Sequence, residues 1–171
     1  MSEIRVAVVG VGNCASSLIQ GIHYYTQTFG AGRGDGVIGL AHPELGGYRP
    51  SDIRIVAAVD IDHRKVDRPL HEAVFAPPNN TKVFFDRFLY EDVTVRMGAV
   101  LDGVSEHMEQ YPPEQRFMPA QRPDATCEEV QQLLVDSKAE ILMNYLPVGS
   151  QKATEFYAAC CLPPGVSLAN C

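Results

Sequence analysis

The chain has 171 residues, 46% of them hydrophobic and 20% charged, with a formal net charge of −7. That is enough chain for one domain with a core of its own. The acidic balance and the lack of a Lys/Arg cluster argue against nucleic acid as a partner, and no apolar stretch is long enough to span a membrane. A small phosphorylated ligand needs only a few local donors and stays open. The five cysteines, Cys14, Cys127, Cys160, Cys161 and Cys171, include no C-x-x-C spacing. They read as a reduced set without a disulfide framework or zinc knuckle. With no basic-then-apolar leader at the N-terminus, the expected compartment is the cytoplasm.

The first strand, from Ile4, runs straight into Gly10-Val11-Gly12-Asn13-Cys14-Ala15, a G-x-G-x-x-A turn. An apolar helix follows, carrying Ala15, Leu18, Ile19 and Ile22. Gly10 permits the tight turn, Gly12 leaves room for phosphates, and Ala15 takes the helix-packing position. Such a turn brings bare backbone and a helix N-terminus up to a pyrophosphate. The bland alternative is a tight strand–helix turn that binds nothing. This first βα unit extends to about Phe29, and its aromatic residues Tyr24, Tyr25 and Phe29 are expected to pack in the core. A glycine-rich insertion then covers about 30–52. So many glycines do not hold a helix cheaply. It reads as a surface insertion, or as a loop that folds over a ligand or against a partner subunit.

Strand two is Ile53 to Asp60, a near-continuous apolar run suited to a parallel strand covered on both faces. It ends in Asp60, where a dinucleotide fold needs a carboxylate for the adenosine ribose. The separation from Gly12 exceeds the usual ~20 residues, and the glycine-rich insertion accounts for the excess. An acid at this position favours NAD over NADP. A helix-capping role is the alternative, and Asp62 suits that role better. Val66, Leu70 and Val74 recur at intervals of four, predicting a helix over 62–74. Pro77 and Pro78 end it, and Asn79, Asn80 and Thr81 form a turn that could edge a ligand crevice.

A further strand is expected around Thr94 to Met97, a helix over 101–111, and a proline-bearing loop over 112–123. Thr126 and Glu129 form a capping-box signature for a helix carrying Val130, Leu133 and Leu134. The next strand, Ala139 to Met143, empties into Asn144-Tyr145-Leu146-Pro147-Val148-Gly149-Ser150. A helix over about 150–161 and a last strand, 166–170, follow. Alternating strands and helices predict an α/β fold, a doubly wound, Rossmann-like parallel sheet. In such a sheet ligands sit beyond the carboxyl ends of the strands. Gly10 to Cys14, Asp60, Asn144 and Asn170 all fall there, making one coherent edge.

These blocks also carry a family resemblance. Val9 to Leu18 resembles the nucleotide loop of prokaryotic inositol-3-phosphate synthases of the actinobacterial type. So do Val59-Asp60-Ile61-Asp62 with Lys65-Val66, Ala76 to Thr81, and Asn144 to Gln151. The resemblance covers essentially the whole chain. It implies NAD as cofactor and glucose 6-phosphate as substrate. The implied reaction is oxidation at C5, enolisation, aldol ring closure and reduction by the same cofactor, giving inositol 3-phosphate for inositol and phospholipid biosynthesis. Being redox-neutral overall, it is an isomerisation. Carried over residue by residue, Gly10, Gly12, Asn13, Cys14 and Ala15 would hold the pyrophosphate and Asp60 the ribose. Asn79, Asn80 and Thr81 would lie at the cofactor edge. Asn144, Leu146, Pro147, Val148 and Gly149 would border the NAD, with Ser150 towards the nicotinamide.

The resemblance also marks a departure. Full-length members are roughly twice as long, are homo-oligomeric, often tetrameric, and carry catalytic lysines in a downstream α/β region. The chain has four lysines, Lys65, Lys82, Lys138 and Lys152, none in that lysine motif. We therefore expect residues 1–171 to form the NAD-binding part of such a synthase, truncated before its catalytic and oligomerisation domain, with no catalytic residue of its own and no turnover alone. The alternatives are an inactive NAD-binding module and the NAD-binding domain of another dehydrogenase. Some family members use a divalent metal or a monovalent cation. The histidines, His23, His42, His63, His71 and His107, offer no clear ligand set, and His63 and His71 read as surface residues sharing a helix face.

Overall fold

The computed structural model describes residues 3–30, 39–88, 93–104 and 106–171. Strands β1 (Ile4–Val9), β2 (Ile53–Asp60), β3 (Val95–Met97), β4 (Ile141–Asn144) and β5 (Ser167–Asn170) form one sheet. Their order is β3-β2-β1-β4-β5, and every pairing is parallel. Between them run α1 (Asn13–Gly30), α2 (Leu70–Ala73), α3 (Cys127–Asp136) and α4 (Gln151–Cys161). The sequence turns back through the central β1, so the sheet is doubly wound, as expected.

The period-two alternation of strand side chains explains the two layers. Val6 and Val8 of β1 face α1, in a core with Ala15, Ile19, Ile22 and Val95. Ala7 and Val9 face the other way, against Val130, Leu134, Leu142 and Tyr157. Both faces of β1 and β2 are therefore covered, which is why these strands read as continuous apolar runs. The registry matters for function. Val9 lies beside both Val59 and Asn144, and Asn144 beside Asn170, so the carboxyl ends of the strands share one edge.

The Thr126 capping box forms as expected. The Glu129 amide donates to Thr126 Oγ1 at 3.2 Å, and the Thr126 amide to Glu129 Oε2 at 2.8 Å. Two expected helices do not form. The span 62–74 contains only the single turn of α2. Pro69 lies within the span, and the residue before a proline is pushed away from helical conformation. Asp67 adopts a φ of 64°. The segment instead pairs beside β3, through Asp67 N to Val95 O, Val95 N to Arg68 O and Leu70 N to Val93 O. Val66, Leu70 and Val74 are buried all the same. Their spacing records burial of a tethered turn, not a helical face. Without that helix, His63 and His71 share no helix face, although His63 is exposed as expected.

Over 101–111 the described residues form turns and a 3-10 segment, Glu106–Gln110. Leu101, at φ 43°, cannot start an α-helix. Tyr24, expected in the core, is exposed and packs edge-on against Phe84 and Phe85. In the glycine-rich insertion, residues 31–38 lie outside the described residues. Residues 39–52 run over the surface through a Leu45–Tyr48 bridge into a short 3-10 turn. Among the described residues, no helix is long and apolar enough to cross a membrane.

Candidate functional site

The turn after β1 is shaped by two glycines with different duties. Gly10 has φ +86°, and a Cβ there would stand 2.7 Å from the Tyr145 carbonyl oxygen. Its amide donates to Val59 O at 2.9 Å. Gly10 is therefore required by both conformation and space, because the turn is wedged against the exit of β4. Gly12 is different: a Cβ there would meet nothing within 4 Å. Helix α1 starts at once, with Ser16 N bonded to Gly12 O at 2.9 Å. The amides of Asn13, Cys14 and Ala15 thus lie in the first turn, where a helix has no backbone partner for them. They carry the positive end of the helix dipole.

Val11, between the glycines, is held at both of its backbone polar groups. Its amide donates to Asp60 Oδ2 at 2.7 Å. Its carbonyl accepts from Lys65 Nζ at 2.7 Å. Both Val11 and Lys65 are fully buried. Burial pulls the Lys65 ammonium below the usual lysine range, with the Asp60 and Asp62 carboxylates pulling the other way. Asp60 Oδ1 also accepts from the amides of Ile61 and Asp62, each at 2.8 Å. An ionised carboxylate offers about four lone-pair sites. Three are spent on backbone, which leaves Oδ2 free to accept one further hydroxyl.

Asp62, fully buried, pairs with Arg64 at 2.6 Å and accepts from Met118 N at 2.9 Å. Burial alone would raise the Asp62 pKa, but the Arg64 bond, the Met118 and Arg64 amides and the Arg64 charge outweigh it and bring it below the ordinary value. Arg64 in turn donates to Pro113 O and Arg116 O. This network seats the loop that carries Phe117. Asp62 also accepts from Arg64 N, two residues on, at 2.9 Å. The helix it was expected to cap does not form, so this bond closes a turn instead.

Above the turn lies a cleft of about 350 Å³. Gly10, Gly12, Asn13, Cys14 and Asp60 form its floor, and Leu146, Pro147 and Val148 one wall. The opposite wall is Ile61, Ala99, Val100, Gly103 and Phe117. The lining is mostly apolar, with a carboxylate and a helix terminus as its polar points, the usual make-up of a cofactor site. The wall after β3 is docked onto α4 twice. Asp102 accepts from the amides of Lys152 and Ala153, at 2.8 and 2.9 Å. These bonds, the Lys152 amide first, hold the Asp102 carboxyl below its ordinary range. The Tyr157 hydroxyl accepts from Ala99 N at 3.0 Å. Burial pushes the Tyr157 phenol well up, so it stays neutral. Gly98 permits this approach, since a Cβ there would lie 2.4 Å from the Tyr157 hydroxyl.

The structure thus brings Gly10, Gly12, Asn13, Cys14, Asp60, Leu146, Pro147 and Val148 to one cleft. Ala15 is buried beneath it, in the packing position expected. Asn80 and Thr81 reach the site through Asn13: Asn80 N donates to Asn13 Oδ1 and Thr81 Oγ1 to Asn13 O. They flank a second, open depression with Ser17 and Lys82. Asn79 turns inward to Val74 O. Asn144 is buried and ties β4 to its neighbours, through Thr154 Oγ1, Asn170 Oδ1 and the Leu146 amide. Gly149 and Ser150 lie at the start of α4, outside the lining. Sequence reasoning missed Asp102, Tyr157 and the wall after β3. Lys65 enters it within a block that resembles the family and is given no role, because a sequence does not report burial. Among the described residues, no group of three His, Cys, Asp or Glu side chains is placed to hold a metal ion.

No family model matches the chain. The chain is 40% identical over 169 residues to a Mycobacterium tuberculosis protein named inositol-3-phosphate synthase. It is 41% identical over 168 residues to the protein of that name from Mycolicibacterium smegmatis. These matches cover 99% and 98% of the chain but only 43% of either relative. The chain is thus similar, over nearly all of its own length, to a part of the inositol-3-phosphate synthases. A synthase of that name from Corynebacterium glutamicum is 40% identical over the same extent. The chain therefore spans less than half the length of the curated relatives it matches. Among solved structures, one titled as that of Ari2 aligns over 99% of the chain and 45% of its own, with a TM-score of 0.78 and 31% identity. A myo-inositol-1-phosphate synthase-related protein from Thermotoga maritima aligns over 93% of the chain and 44% of its own, at TM-score 0.60 and 19% identity. That second likeness supports the fold alone.

Proposed function

We propose that this chain is the NAD-binding part of an inositol-3-phosphate synthase, serving the redox-neutral conversion of glucose 6-phosphate to inositol 3-phosphate. The observation that carries the reading is the open space at Gly12, facing a 350 Å³ cleft at the start of α1. A β-carbon would fit there without touching protein, so the glycine is explained by a ligand that comes close to the backbone. The residues fit a dinucleotide. The first-turn amides of α1, with Gly12, would hold the pyrophosphate. The remaining lone pair of Asp60 would take a ribose hydroxyl, and its negative charge disfavours the 2′-phosphate of NADP. Leu146, Pro147, Val148, Val100 and Phe117 would cover the rings and keep water from them. Asn80 and Thr81, through Asn13, would brace the first turn of the helix.

When bound, NAD supplies hydride uptake and return. The chain's own contribution is to bind and orient it. Sugar enolisation and ring closure need cations near developing oxyanions. None of the four lysines lines the cleft. Lys65 is buried in the turn, while Lys82 and Lys152 are exposed. We infer that those charges come from elsewhere in the working enzyme, and that residues 1–171 by themselves bind NAD without turning over glucose 6-phosphate.

Isothermal calorimetry with NAD and NADP tests the reading. The expected result is saturable NAD binding at least tenfold tighter than NADP. Equal or tighter NADP binding would refute the role given to Asp60, and no binding of either would refute the site. Formation of inositol phosphate by the purified chain would refute the division of labour.

A further inference from the structure

We propose that Lys65 is a positioning residue for the dinucleotide turn: from full burial it holds the Val11 carbonyl while Asp60 holds the Val11 amide, setting the turn in its phosphate-receiving form before any ligand arrives. The proposal rests on the reading of the cleft as a dinucleotide site. Lys65 does not line that cleft, so it acts through Val11.

Burying an ammonium is costly unless the charge is used. Here its bond at 2.7 Å goes to a backbone carbonyl of the turn rather than to a carboxylate. A methionine would fill similar space at far lower desolvation cost, so packing alone does not explain a lysine. The need is visible on the other side. Val11 is fully buried, and its amide and carbonyl sit in a turn between two glycines with no helix or strand partner of their own. Buried backbone groups must be satisfied. Asp60 satisfies one from the end of β2, and Lys65 the other from the turn after it. Each peptide group is rigid and planar. The Val11 amide belongs to the Gly10–Val11 plane, held by Asp60, and the Val11 carbonyl to the Val11–Gly12 plane, held by Lys65. Fixing these two successive planes fixes the backbone dihedrals of Val11 and therefore the direction of the chain entering Gly12 and α1. Losing the Lys65 bond frees the second plane to rotate, and the first-turn amides lose their common aim.

The test compares the full chain with Lys65→Met and Lys65→Gln, the glutamine retaining an uncharged donor. Leu134→Val, in the opposite core layer, controls for general loss of stability. NAD affinity is measured by calorimetry, and exchange of the Val11 amide by NMR on the ligand-free proteins. Lys65→Met is expected to weaken NAD binding about tenfold, the scale of one charge-assisted bond. Its Val11 amide should exchange faster, with Lys65→Gln in between and Leu134→Val like the parent in both. Unchanged affinity and exchange in folded Lys65→Met would overturn the proposal, as would an equal loss of affinity in Leu134→Val.

Acylation of the parent chain by an N-hydroxysuccinimide ester, read by peptide mass, decides the matter if both Lys65 variants fail to fold. Lys65 should stay unlabelled while Lys82 and Lys152 react, and labelling at their rate would overturn the clamp. If the parent itself does not bind NAD, the dinucleotide reading falls. The ligand-free exchange and labelling still judge the clamp separately.

Discussion

Alanine at Gly10 and alanine at Gly12 should damage the protein in different ways, although the two positions are two residues apart. At Gly10 the added Cβ meets a left-handed backbone, φ +86°, which costs a residue with a side chain about 1–2 kcal/mol. It also stands 2.7 Å from Tyr145 O and 2.9 Å from Tyr145 C. These are backbone atoms, and Tyr145 N is itself bonded to Val9 O at 2.9 Å. The clash is relieved only by moving β1 and β4 apart, an overpacking strain of about 1–3 kcal/mol. Gly10→Ala should therefore lose about 2–5 kcal/mol of stability, a large share of a typical domain's total. At Gly12 the Cβ meets nothing and φ is not in the left-handed region. Stability should change by less than about 1 kcal/mol. NAD affinity should nonetheless fall by about tenfold or more, because the methyl occupies the space left for the phosphates. Urea melts of the three proteins read the first effect, and NAD calorimetry on Gly12→Ala the second. If Gly12→Ala unfolds as readily as Gly10→Ala, or binds NAD like the parent, the division of duties between the glycines is wrong.

Other outcomes follow from the hydrogen bonds around the cleft. Asp62→Asn strands Arg64 and should cost about 3 kcal/mol at neutral pH. Because Asp62 has a folded pKa below its unfolded one, its contribution is full above the unfolded value near 4 and is lost as pH falls through the folded value. The stability gap between Asp62→Asn and the parent should therefore close in acid, and a gap constant with pH would contradict the pairing. Tyr157→Phe leaves the Ala99 amide without its acceptor and should cost about 1–3 kcal/mol in a thermal melt. Thr126→Ala should lose about 1 kcal/mol, with faster amide exchange at Glu129. Asp102→Asn should loosen the wall after β3, seen as faster exchange of the Lys152 and Ala153 amides. The parent should hold those amides until the pH falls below the ordinary carboxylate range.

The elements that were legible in the sequence were those whose cause is local. The apolar runs Ile4–Val9 and Ile53–Asp60 are strands because both faces are covered, and a run without alternation announces that directly. The Thr126–Glu129 box and the Gly10–Gly12 turn each occupy a few consecutive residues, so their chemistry is written in adjacent letters. The expected helix over 62–74 failed for the opposite reason. Val66, Leu70 and Val74 are spaced by four, but hydrogen bonds to Val93 and Val95 outweighed that spacing once Pro69 stood in the way.

By itself, then, the sequence determined a doubly wound sheet, a bare turn at its centre and an acid at the end of β2. Only the tertiary structure decided how that acid is used. It spends three of its lone pairs on backbone amides, and Val11, whose amide it holds, is held at its carbonyl by the buried Lys65. It likewise decided that Asp102, 50 residues before Lys152, caps the start of α4. The physical reason is the same in each case. Local propensity depends on neighbours along the chain, whereas the worth of a buried charge depends on partners that only folding brings within 3 Å.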